Sequence, residues 1–180
     1  IDSRGYFQEL FHEHKYPNDV RPANGFSQVS ISHSFRGVLR GIHRSNYSKL
    51  VTAISGAVYD VIVDLRTNSS TYRRWCAIIL SSDNRTQLHI PAGCGHGFLC
   101  LQEADILYLQ GGCFDPQSEI DVNAFDESLN IYWPKLDDIM TYIMSDKDIR
   151  APNLVDHKDF VGTFVKERQL RRVLVIGASG

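Results

Sequence analysis

Cysteine is scarce, with four in 180 residues, and Cys76, Cys94, Cys100 and Cys113 form no Cys-x-x-Cys pair. That spacing argues against a zinc ribbon and against a disulfide-stapled secreted scaffold, so the thiols read as reduced and the expected compartment is the cytoplasm. Excess basic charge is also lacking. Lys and Arg total 19 against 21 Asp and Glu, a net charge of -2, which gives no general attraction to nucleic acid or to acidic membranes and leaves room only for a compact basic pocket. No apolar run approaches the roughly 18 to 20 residues of a membrane helix. The most apolar region, residues 57–65, is interrupted by Asp60 and Asp64.

Helical periodicity is the next thing missing. In its place, short runs rich in β-branched and aromatic residues recur at 26–31, 49–54, 57–64, 75–80, 86–90, 97–101, 105–110 and 128–133. Turn signals such as Arg36-Gly37, Ser55-Gly56 and Pro91-Ala92-Gly93 separate them. Many short strands with so few helices between them predict an all-β sandwich or barrel of the jelly-roll kind, since a parallel sheet needs crossover helices. Helix is expected only over 136–144 and 156–171, near the carboxyl end. Beyond a charged linker at 153–170, residues 171–180 combine a basic start, an apolar strand and the turn Gly177-Ala178-Ser179-Gly180. Such a strand and turn open a dinucleotide-binding βαβ unit, or else form a last strand with a glycine tail.

Two histidines stand apart from the rest because glycines flank them and let backbone approach a ligand: His43 in Arg40-Gly41-Ile42-His43, and His96 in Pro91-Ala92-Gly93-Cys94-Gly95-His96-Gly97. The spacing Pro91-x-Gly93-x-x-His96 resembles the second motif of the cupin jelly rolls. Metal-binding cupins carry His-x-His and a Glu in the first motif, but here Ser45 follows His43 by two and Lys49 stands nearest the Glu position. An ammonium has no lone pair to give, so no metal is expected. What is left is a barrel lined by His43, His96, Arg40, Lys49, Asp60 and Tyr108. Asp60 shares a face with Val58 and Ile62 and needs a partner there, for which a histidine is suited. A histidine, a lysine and a tyrosine in one pocket suit proton removal beside a carbonyl, with the lysine on the enolate oxygen and the tyrosine returning a proton. A polar-lined binding barrel without turnover is the other reading.

A longer series of blocks carries a more specific likeness. Asp2-x-Arg4-Gly5-x-Phe7-x-Glu9, Val38-Leu39-Arg40-Gly41-Ile42-His43, Lys49-Leu50-Val51, Gly56 to Arg66, Ser70-Thr71-Tyr72, Ile90-Pro91-x-Gly93 with His96-Gly97-Phe98, Glu119, Ile131-x-Trp133-Pro134 and Ser145-x-Lys147-Asp148 follow in order. Over about residues 2 to 152 the chain resembles the dTDP-4-dehydrorhamnose 3,5-epimerase family. The resemblance implies a dimeric, metal-free cupin jelly roll that needs no cofactor and inverts C3 and C5 of a nucleotide-linked 4-keto-6-deoxyhexose. It implies His43 as general base, Tyr108 as general acid, Lys49 beside the C4 carbonyl, and Asp148 as partner of the base, with Asp60 competing for that last role. Arg4, Glu9, Gln28, Arg40, His96, Glu119 and Lys147 fall on positions that bind the nucleotide, diphosphate or sugar, and cationic forks suit a diphosphate.

The chain also departs from the family pattern. The loop from His43 to Lys49 is shorter, Gln28-Val29-Ser30 replaces Gln-x-Asn, and Gly111-Gly112-Cys113-Phe114 replaces a Tyr-rich stretch. Related readings are a single-site epimerase or ketoisomerase of the same fold, or a non-catalytic nucleotide-sugar binder, and the base of the nucleotide is open between thymine and uracil. Because the likeness covers 1–152 as an epimerase domain entered after its own start, residues 171–180 are expected to begin a fused Rossmann-like reductase that would use NAD(P)H.

Overall fold

In a computed structural model, which describes residues 3–154 and 175–176, two long strands organise everything else. The strands are β1 (Gln28–Ser34), β2 (Leu39–Arg44), β3 (Lys49–Asp64), β4 (Trp75–Ser81), β5 (Gln87–Ile90), β6 (Cys94–Gln110), β7 (Ile120–Asp121) and β8 (Val175–Ile176). β3 and β6 run antiparallel from Lys49 opposite Gln110 to Asp64 opposite Cys94. Halfway along, register shifts between Ala53 and Val58 bend the pair. Gly56 sits at this bend with φ 65°, where a Cβ would lie 2.0 Å from the Glu103 carbonyl oxygen. Only glycine tolerates both the conformation and the approach.

The bend lets each long strand serve two neighbourhoods. The first part of β3 pairs with β5 and its second part with β4, while β6 pairs with β2 near its start and with β1 near its end. The folded-over halves share one apolar interior, in which Val51, Leu88, Ile90 and Ile106 of one half meet Val58, Ile62, Leu80 and Phe98 of the other. Each such side chain contributes about 1.5–3 kcal/mol by leaving water. This is the expected all-β jelly roll.

In the second half of β3, strand alternation sends the odd residues the other way. Val61 and Val63 join Leu39, Leu99, Val122, Leu129, Trp133 and Leu154 in a second cluster beneath the chain that follows β7. A strand covered on both faces reads as continuously apolar, which explains the composition of β3.

Several expected elements differ. The runs at 49–54 and 57–64 are one bent strand, as are 97–101 and 105–110, because Ser55-Gly56 bends the sheet without turning the chain. Residues 128–133 form turn and extended chain rather than a strand, and 136–144 is not helical. There Leu136, Tyr142 and Met144 pack on the second cluster and Ile143 bridges to Val38, so tertiary burial prevails over local periodicity. The described helix is α1 (Asp146–Ile149), started by the Ser145 hydroxyl, which accepts the Asp148 N–H. The helix expected at 156–171 lies outside the described residues, as does the stretch 171–180 except for β8, which pairs antiparallel with β5.

Candidate active site

β2 is where local geometry builds the site. Arg40 and His43 are three apart, an odd spacing that would put them on opposite faces of a regular strand, yet both line one cavity. A register irregularity between them, with Arg40 opposite Phe98 and His43 opposite His96, restores both to the inner face. Gly41 and Gly97 permit it: a Cβ on Gly41 would stand 2.6 Å from the Gly97 Cα and 2.7 Å from the His96 carbonyl oxygen. β3 adds Lys49 from its first residue, β6 adds His96 and Tyr108, and β1 adds Ser30 and Ser32, around a cavity of about 240 Å³.

His43 is held from behind. Its Nε2 lies 2.7 Å from the Asp148 Oδ1. Burial pushes the Asp148 carboxyl upward, but the hydrogen bond and charge of His43, with Ser145 and the Gly41 backbone N–H, hold it below its ordinary value. An ionised carboxylate only accepts, so Nε2 carries the proton and the lone pair is left on Nδ1. Asp121 Oδ1 lies 3.7 Å from the same Nε2 and 3.0 Å from the Lys147 ammonium.

Tyr108 shares a hydrogen bond of 3.0 Å with Ser32, and burial pushes its phenol well above the ordinary tyrosine range. It therefore keeps its proton and can give it up only to a strong base such as a carbanion. Lys49 is 8% exposed. Burial lowers its ammonium while Glu119 and Asp60 oppose that shift.

Asp60 is fully buried, and both its oxygens lie 2.9 Å from the His96 Nε2. Burial raises its carboxyl, and the histidine is the partner its apolar strand required. Of the two aspartates weighed for the base, Asp148 is the one beside His43, and Asp60 belongs to His96.

Arg40 is anchored through Nε to the Ser34 hydroxyl and through Nη2 to the His33 carbonyl, each at 3.0 Å. Glu119 lines the cavity, whereas Gln28 accepts the Phe114 N–H at 2.8 Å and so props the loop at the cavity's edge. Lys147 stands on Asp121. Arg4 is exposed, Glu9 pairs with Lys15 at 3.0 Å, and neither is among the lining residues.

Sequence reasoning passed over Ser32, Tyr47, Gln110 and Asp121, and it marked Ser30 and Phe114 only as departures from the family pattern. For the serines a signal existed, because Gln28, Ser30, Ser32 and Ser34 repeat with period two. Among the described residues no three His, Cys, Asp or Glu gather as a metal cage.

The jelly roll gathers a carboxylate-backed histidine, a proton-retaining tyrosine and a buried lysine around one cavity, an arrangement chemically able to take up and return protons. The family model described as dTDP-4-dehydrorhamnose 3,5-epimerase matches residues 1–156, and the chain belongs to that family. It is 36% identical over 161 residues to the dTDP-4-dehydrorhamnose 3,5-epimerase of Mycobacterium tuberculosis, covering 87% of this chain and 79% of the relative. Among solved structures it is similar to the Legionella pneumophila dTDP-6-deoxy-D-glucose-3,5-epimerase in complex with dTDP-4-keto-L-rhamnose, with TM-score 0.80, 34% identity and coverage of 92% and 89%. It is also similar to ChmJ, a 3'-monoepimerase from Streptomyces bikiniensis in complex with dTDP-quinovose, with TM-score 0.77, 34% identity and coverage of 86% and 79%.

Proposed function

We propose that this chain inverts C3 and C5 of a dTDP-linked 4-keto-6-deoxyhexose by removing and returning protons. The observation that carries the reading is the 2.7 Å contact between Asp148 and His43 at a cavity that Tyr108 also lines. The C4 ketone acidifies the hydrogens on C3 and C5. Nδ1 of His43 takes one of them, and the electron pair left on carbon moves into the C4 carbonyl as an enolate. The Lys49 ammonium meets the enolate oxygen. Tyr108 then gives its phenolic proton to carbon from the other face, which inverts the centre, and solvent restores both side chains. Arg40 supplies a planar cation for the diphosphate.

Incubating enzyme and substrate in deuterium oxide tests this. Deuterium at both C3 and C5 is expected; incorporation at one carbon would make the chain a single-site epimerase, and none would make it a binding module.

The enzyme is further proposed to act as a homodimer in the cytoplasm, in keeping with its free cysteines. Val29 and Ile31 on the outer side of β1 are 62% and 61% exposed, and Phe35 just beyond the strand is 62% exposed. An apolar sheet face of this kind suits a second copy of the chain. Sedimentation at twice the chain mass is expected, and a monomer at micromolar concentration would exclude the dimer.

A further inference from the structure

Lys49 is nearly buried, and a buried ammonium needs a counter-charge within a few ångströms to stay charged. Two carboxylates act on it, Glu119 and Asp60, and Lys147 opposes them as a like charge. Tyr47 faces it with its ring, 5.5 Å from Nζ. Across the strand pairs it stands between Ile90 and Gln110, neither of which is charged. Asp60 has both oxygens on the His96 Nε2, which leaves Glu119 as the carboxylate that stands within ion-pair distance of Lys49.

Glu119 is held in a way that suits this task. Its Oε1 accepts from the Ser45 hydroxyl at 2.8 Å and from the Tyr47 hydroxyl at 3.3 Å, and lies 3.9 Å from the Lys49 Nζ. Gln110 donates to the Tyr47 hydroxyl at 3.4 Å. The next residue, Ile120, opens β7, which pairs with the end of β2. That pairing brings Glu119 beside the short connection between β2 and β3 that carries Ser45 and Tyr47. The same carboxylate oxygen thus ties the connection down and faces the lysine.

Building on the proton-transfer reading, we infer that Glu119 is a positioning residue that fixes the Lys49 ammonium at the carbonyl end of the cavity and keeps it charged. This goes beyond the substrate contact that the family resemblance implies for Glu119, because its Oε1 is engaged from within the protein. Lys49 then enters catalysis already protonated, and it stays so toward higher pH than burial alone would allow.

The test is Glu119→Gln. Glutamine keeps a carbonyl oxygen for Ser45 and Tyr47 and removes only the charge. The chain has six lysines, so ε-carbon-labelled lysine gives a resolvable NMR spectrum in which Lys49→Arg identifies the signal. The Lys49 titration midpoint is expected to fall by about one pH unit in Glu119→Gln. The fold should persist, and Glu119→Asp should recover part of the midpoint. Turnover should fall about ten-fold at the alkaline end of the pH profile with little change in KM, because a neutral amine no longer meets the enolate.

A purely structural role would leave the midpoint where it is, and an unmoved midpoint overturns the inference. If the glutamine variant does not fold, acid titration of the parent replaces it: protonating Glu119 should displace the Lys49 ε-carbon signal, and a signal that stays put overturns the inference equally. The NMR measurement needs no turnover, so it stands or falls separately from the epimerase reading.

Discussion

His43→Ala should abolish exchange of the sugar C3 and C5 hydrogens with deuterium oxide, lowering it by at least about 10³-fold, within the span attributed to a positioned general base. Two of the other cavity groups cannot replace it, and the third, His96, is tied to a carboxylate of its own. Asp60 holds His96 through its Nε2, Tyr108 is kept protonated by burial, and Lys49 is better placed to stabilise an oxyanion than to take a proton from carbon. The alanine variant also takes from the buried Asp148 its hydrogen bond to His43, at a cost of about 1–3 kcal/mol.

His43→Asn separates the two effects, since its side-chain amide can still donate toward Asp148 while offering no basic nitrogen. Both variants should be inactive, and the asparagine variant should melt closer to the parent. Residual exchange within ten-fold of the parent in either one would remove His43 from the role of base. Asp148→Asn is a milder companion, because the imidazole remains but loses the carboxylate that fixes its tautomer and supports the charge it acquires.

Tyr108→Phe should divide the reaction. The ring still packs in the barrel, and the lost hydrogen bond to Ser32 costs about 1 kcal/mol, so the fold should persist. What disappears is the acidic proton on the face opposite the base. His43 continues to remove a hydrogen and solvent deuterons return to the same face, so exchange continues while inversion falls by about 10² to 10⁴-fold. Product analysis by NMR in deuterium oxide reads both quantities in one sample. Inverted product at the parent rate would exclude Tyr108 as the acid, and loss of exchange together with inversion would make it part of the deprotonation step.

The two strongest tests thus rest on residues that the sequence singles out by motif, and neither could be designed without the contacts behind them. His43 is recognisable beside Gly41, and Tyr108 by alternation with Ile106 along an apolar strand. Whether Asp60 or Asp148 supports the base was beyond reach. Asp148 lies 105 residues from His43 along the chain, and its place depends on how the segment after β7 folds back over the second cluster. Asp60, by contrast, faces inward because β3 alternates, and the residue opposite its neighbour Ile62 is His96. Local pattern gave its orientation, and strand pairing gave its partner.

By itself the sequence determined the kind of fold and the kind of chemistry. Short β-branched and aromatic runs punctuated by turn residues admit few arrangements other than an antiparallel sandwich or barrel, and the shortage of basic charge and of Cys-x-x-Cys pairs argued against nucleic-acid binding and a zinc ribbon. Tertiary structure alone decided the irregularities on which the site depends. The bend at Gly56 merges four expected strands into two, the bulge in β2 turns both Arg40 and His43 inward, and the pairing of β7 with β2 brings Glu119 to Lys49. Each is a relation between chain segments distant in sequence, set by steric fit and by hydrogen bonding across strands. Residue order records the propensities of each segment, and the partner against which a segment packs is fixed only when the whole sheet closes.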